Sequence, residues 1–130
     1  MYLGPRAVLF SMTKGERELP MQSFGFALNL KDDPQAIEKY KAFHQNVWPE
    51  VPAALKQVGI ISMRIYLIGR RLFMYMEAVD DFSPERDFPK YLELHGRCRE
   101  WDDLMRTLQE KIPEAGEDEW WALMEPVYEL

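Results

Sequence analysis

The sequence predicts an α+β fold: one mostly antiparallel sheet with its helices on one face, in the ferredoxin-like β-α-β-β-α-β order. Three observations predict it. Residues 22–30 (QSFGFALNL) alternate, with Phe24, Phe26, Leu28 and Leu30 on one face and Gly25, Ala27 and Asn29 on the other, as a half-buried strand does. Two β-branched and aromatic runs, 60–68 and 72–79, are joined by Gly69-Arg70-Arg71 and read as a β-hairpin. Runs with apolar residues at helical spacing stand on each side of that hairpin.

The elements follow in order. Residues 1–20 show no sustained period and contain Gly4-Pro5 and Pro20, so they are read as an N-terminal extension, loosely attached or disordered. Met21 is the natural start of the folded domain, 21–130. After the first strand, Asp33 is placed to cap a helix and Pro34 to occupy its first position. That helix runs to Phe43 or His44, with Ile37, Tyr40, Phe43 and His44 on one face. Pro49 biases Trp48 away from helical geometry and breaks the run. Helix resumes over 50–58, and Gly59 ends it in a left-handed conformation. Past the hairpin, Ser83 and Pro84 predict the start of a helix over 85–94, irregular at Pro89. Trp101, Leu104, Met105, Leu108 and Ile112 predict a long amphipathic helix from Cys98 to Ile112, stopped by Pro113. Residues 120–130 are expected to form a last strand, at an edge because of Pro126. The strand 60–68 carries large side chains on both faces: Met63, Ile65 and Leu67 on one, Arg64 and Tyr66 on the other. A sheet of that kind needs a cover, which predicts a homodimer with sheets packed face to face.

Composition narrows the function. The 130 residues are 47% hydrophobic and 29% charged, a globular balance in one domain. No apolar run reaches the ~20 residues of a membrane span. A net charge of −6 argues against nucleic acid or an anionic membrane as partner. The single cysteine, Cys98, precludes an intrachain disulfide and fits a reducing compartment. No metal-ligand spacing, GxGxxG, Walker or GxSxG pattern occurs, so no cofactor is supported.

His44 leads the residues that could do chemistry, because an imidazole titrates near neutral pH. On composition alone, a helix-end histidine bonded to a carbonyl is the plainer reading. Tyr40 on the same face, the helix break and Trp101 favour a functional one. Trp101 has two readings, core tryptophan or aromatic platform for the apolar face of a sugar. His95 lies in a polar stretch beside Gly96 and is read as surface. Cys98 is read as inert. Trp120 and Trp121 are read as strand residues at a sheet edge or dimer contact, and the acidic loop 114–119 as solvated surface.

Tyr40-x-x-x-His44-x-x-x-Trp48-Pro49-Glu50, the hairpin ending Phe73-Met74-Tyr75-Met76-Glu77, the Trp101-x-x-x-Met105 helix and the terminal Met124-Glu125-x-Val127-Tyr128 together resemble the L-rhamnose mutarotase family. The resemblance covers about Met21 to Leu130. It implies a cytoplasmic, cofactor-free dimer of the dimeric α/β-barrel type that interconverts the α and β anomers of L-rhamnose or a related deoxy-hexose. Carried over by position, the proton donor falls on His44 and a substrate tyrosine on Tyr40. A sugar-binding tryptophan pair falls on Trp101 and Asp102, and a second substrate tyrosine on Met63. The last two depart from the family pattern, and Asp102 is expected to accept hydrogen bonds where the family uses an indole. The chemistry suits the residues independently. Mutarotation needs a group that gives and takes protons near pH 7, and it needs no metal or redox centre. His44 is expected to be the acid, Tyr40 to orient sugar or imidazole, and Trp101 to stack on the ring. Two rivals stand: a cofactor-free monooxygenase or isomerase on the same architecture, and a non-catalytic dimer that binds a small molecule.

Overall fold

The computed structural model describes residues 21–130; the N-terminal extension read over 1–20 lies outside the described residues. Nine elements follow in order: β1 (Met21–Leu30), α1 (Pro34–Phe43), α2 (Glu50–Gln57), β2 (Ile60–Ile68), β3 (Arg71–Val79), α3 (Pro84–Leu94), α4 (Gly96–Arg106), β4 (Gln109–Glu110) and β5 (Ala122–Leu123). The strands form one sheet in the order β2-β3-β1-β4, with β5 also on β1. All pairings are antiparallel. This is the ferredoxin-like α+β arrangement.

Register places the side chains. Phe26 faces Met74 and Leu28 faces Leu72 across β1 and β3, while Met63 faces Met76 and Ile65 faces Met74 across β2 and β3. Directly opposed residues share a face, so these line one side, against the helices. Leu28, Leu30, Leu72 and Met76 of the sheet, with Cys98 from α4, are the largest fully buried side chains of the core. Asp33 caps α1 by accepting from the Gln35 amide at 2.9 Å, with Pro34 at the first position. Ser83 occupies the N-cap of α3, but its side chain makes no cap bond; Asp87 instead accepts from the Ser83 amide at 2.9 Å. Gly59 has φ +107°, and a Cβ there would stand 2.7 Å from Val79 Cγ2, so only glycine lets β2 start beside the end of β3.

Two elements differ from expectation. The helix predicted over 98–112 starts earlier and ends at Arg106, with Thr107 as its C-cap. The end of β1 takes over the backbone: Lys31 N donates to Leu108 O at 2.9 Å, and Gln109 and Glu110 pair with Leu30 and Asn29. Leu108 and Ile112 are both buried as the helical spacing demanded, but they join different clusters, Leu108 the main core and Ile112 a small one with Ala27 and Ala122. The predicted last strand, 120–130, shrinks to Ala122–Leu123, followed by one more bond from Met124 N to Gly25 O at 2.8 Å. Beyond it, residues 125–130 are exposed. Arg70 ties the hairpin tip to this side of the sheet by donating to Leu30 O at 2.9 Å and Glu110 at 3.2 Å.

Candidate active site

The last turn of α1 brings Tyr40 and His44 together. Their rings lie 4.3 Å apart by centroid. His44 is the C-cap, so its backbone N–H and its ring both turn back on one carbonyl: the amide donates to Tyr40 O at 3.2 Å and Nδ1 lies 2.8 Å from the same oxygen. A carbonyl only accepts, so Nδ1 carries the hydrogen. In the neutral ring the lone pair is therefore on Nε2. Burial holds the His44 imidazole below its usual value, with the carbonyl bond opposing it by less. At pH 7 this is a neutral base.

α4 supplies Trp101, whose ring meets His44 edge-on at 5.4 Å and Trp48 at 5.2 Å. Arg97 lies over Trp48 at 3.6 Å, a cation–π contact that fixes that indole. Trp101 is only 7% exposed, so most of it is core. β4 supplies Gln109, also buried. Its Nε2 donates to the Tyr40 hydroxyl at 3.4 Å, and its Oε1 accepts from Trp120 Nε1 at 2.8 Å. Burial pushes the Tyr40 phenol up to about 12, the Gln109 bond offsetting a part. The phenol is thus protonated at neutral pH.

Tyr40, His44, Trp101, Gln109 and Trp120 line a cleft of about 1410 Å³ between the sheet and the helices. Its lining combines the linked polar and aromatic groups Tyr40, His44, Gln109 and Trp120 with apolar residues that include Phe24, Met63, Ile65 and Leu92. The structure thus gathers four of the five residues singled out from the sequence: His44, Tyr40, Trp101 and Met63. Asp102 is not among the lining residues; its carboxylate is held by Arg106 Nε at 2.9 Å, one helical turn on. His95 is exposed and caps α4, accepting from the Arg97 amide at 3.0 Å. Cys98 is buried, and desolvation raises its thiol further. The loop 114–119 is partly ordered by Glu119, which accepts from Gly116 N at 2.8 Å and Leu123 N at 3.1 Å. That closure delivers Trp120 to the cleft.

Gln109 and Trp120 were not legible as site residues. Gln109 fell inside the predicted helix, and its position depends on where that helix ends. Trp120 offered only its residue type and its nearness to an edge strand. Among the described residues, no group of three His, Cys, Asp or Glu side chains is placed to hold a metal. No described helix is long and apolar enough to cross a membrane.

A sequence profile for L-rhamnose mutarotase matches residues 23–130. An L-fucose mutarotase of Xanthomonas campestris pv. campestris is 33% identical over 105 residues, covering 79% of this chain and 83% of that protein. A UPF0734 protein of Dictyostelium discoideum is 49% identical over 112 residues, covering 84% and 90%. The crystal structure of an L-rhamnose mutarotase from Formosa agariphila superposes with a TM-score of 0.59 over 84% of this chain and 98% of that one, at 19% identity. The profile spans nearly the whole described domain, and on that ground the chain belongs to the L-rhamnose mutarotase family, a family of carbohydrate isomerases.

Proposed function

We propose that the protein interconverts the α and β anomers of L-rhamnose or a related deoxy-hexose, with His44 as the acid–base group. One observation carries the reading: a neutral imidazole whose Nδ1–H is tied to the Tyr40 carbonyl, leaving Nε2 as a proton acceptor on a side chain that lines the cleft. Nε2 takes the anomeric hydroxyl proton as the ring opens. The imidazolium returns a proton to the carbonyl oxygen as the ring closes on the other face. One group thus serves as base on opening and acid on closing. Family membership and the likeness to an L-fucose mutarotase support a deoxy-hexose as substrate. Trp120, half-exposed, offers more indole to a sugar than the buried Trp101. The polar groups that line the cleft favour a sugar over the wholly apolar ligand expected of a cofactor-free monooxygenase.

Two further readings belong here. The outer face of the sheet exposes Tyr66, Ile68 and Phe73, which supports a homodimer packed sheet to sheet. The single buried cysteine suits the reducing cytoplasm. The function is tested by anomer exchange in saturation-difference NMR with L-rhamnose, L-fucose and D-glucose. The expected result is accelerated exchange for a deoxy-hexose, lowered by about 10²–10⁴-fold in His44→Ala. Sugar binding without acceleration would mark a non-catalytic binding dimer instead.

A further inference from the structure

The Gln109 amide is oriented by a group that leaves no choice. Trp120 Nε1 is a donor only, so the atom of Gln109 that it meets at 2.8 Å must be the oxygen. The other end of the amide, Nε2, therefore faces the Tyr40 hydroxyl, and the phenol oxygen must accept. The phenolic hydrogen is then directed away from Gln109. Among the described residues the Tyr40 hydroxyl has no other hydrogen-bond partner, and Tyr40 lines the cleft that His44 also lines. A donor and a base are thus presented to one space from adjacent turns of α1.

We propose that the Tyr40 hydroxyl is the catalytic acid that protonates the sugar ring oxygen, and that Gln109, held by Trp120, is the positioning residue that fixes Tyr40 as a donor. This rests on the mutarotase reading and completes it. As His44 Nε2 removes the anomeric proton, the C1–O1 bond becomes a carbonyl and the C1–O5 bond breaks. Its electron pair stays on O5, which takes the Tyr40 proton. The products are the open-chain aldehyde, an imidazolium and a phenolate. Rotation about C1–C2 presents the other carbonyl face. On closure O5 attacks C1, its proton returns to the phenolate, and the carbonyl oxygen takes the imidazolium proton. No proton is gained or lost overall. Developing alkoxide is a stronger base than a phenolate, so transfer from a phenol of raised pKa remains downhill. The new imidazolium, its ring centroid 4.3 Å from that of the phenol, offsets the phenolate charge.

The test is a cycle of variants in the full-length chain, with kcat and KM measured for the sugar that the unaltered protein turns over. Gln109→Glu keeps the acceptor for Trp120 but puts a second acceptor opposite Tyr40, which turns the phenolic hydrogen inward. The expected result is a fall in kcat of about 10²-fold, matching Tyr40→Phe, with KM changed by less. In the Tyr40→Phe background Gln109→Glu should lower kcat no further. Gln109→Met, which removes the donor without adding charge, serves the same cycle if Gln109→Glu does not fold, with an expected fall of about 5–10-fold. An unaltered kcat in Tyr40→Phe, or equal losses from the Gln109 change with and without the phenol, would overturn the assignment and leave the mutarotase reading standing. No acceleration of any sugar by the unaltered protein would overturn both.

Discussion

His44 and Tyr40 are joined through a single carbonyl oxygen, and that one contact sets the tautomer of His44 while burial keeps the ring neutral. The pH dependence follows from it. His44 must be neutral for Nε2 to accept a proton, and burial holds its pKa below 6.5. The catalysed rate should be constant through neutral pH and fall on the acid side with a midpoint below 6.5, read as kcat/KM against pH. Tyr40, at about 12, keeps its proton through mildly alkaline solution, so no basic limb is expected from it there. A midpoint above 6.5 would mean that another group controls the step. At this scale the sequence was informative about Tyr40 and His44, because four residues on a helix share a face whatever the rest of the fold does. It was silent about Gln109. That side chain matters only because β4 displaces a helix and because a tryptophan eleven residues later donates to it.

The elements were legible where local chemistry decides them. Asp33-Pro34, Ser83-Pro84 and Gly59 mark helix ends, and the structure places ends there. Gly59 is needed twice over, for its positive φ and for the 2.7 Å approach of Val79. Gly59→Ala should destabilise the fold by ~1–3 kcal/mol, seen as a lower urea midpoint. At the start of α3, Asp87 accepts from Nε and Nη2 of Arg86 and from the Ser83 amide, and these bonds lower its carboxyl to about 2. A depressed carboxylate adds stability above its unfolded value, near 3.8, and that stability is lost as pH falls through about 2. Asp87→Asn should therefore melt below the unaltered protein at pH 7, and the gap should narrow between pH 4 and pH 2. A gap independent of pH in thermal melts would show that the charge contributes nothing. The helix over 98–112 was misjudged because Leu108 and Ile112 satisfy a helical period but are buried on either side of the short strand β4. Spacing shows that a residue is buried but not which backbone partner holds it.

The whole molecule has two unequal faces. One side of the sheet is packed under the helices. The other shows Tyr66 and Phe73, stacked at 6.1 Å, with Ile68 80% exposed. Gly25 lies beneath this surface, and the Cβ it lacks would stand 3.1 Å from Phe73 and 3.6 Å from Met124. A charge at its centre should break the proposed dimer. Phe73→Glu is expected to halve the mass seen by light scattering, while far-UV circular dichroism stays unchanged. A protein already monomeric before substitution would sink the face-to-face arrangement.

The sequence by itself determined the order of the elements from β1 to α4, the helical pairing of Tyr40 with His44, and the apolar character of both sheet faces. Each depends on residues near one another in the chain, so periodicity, caps and turn residues report it directly. Only the tertiary structure decided the rest. It stopped α4 at Arg106, because β1 offered Leu108 and Gln109 backbone partners that a further helical turn would have to forgo. It brought Gln109 to Tyr40 and Trp120 to Gln109. Those contacts join segments up to 69 residues apart, and no local pattern encodes which distant donor will meet which acceptor.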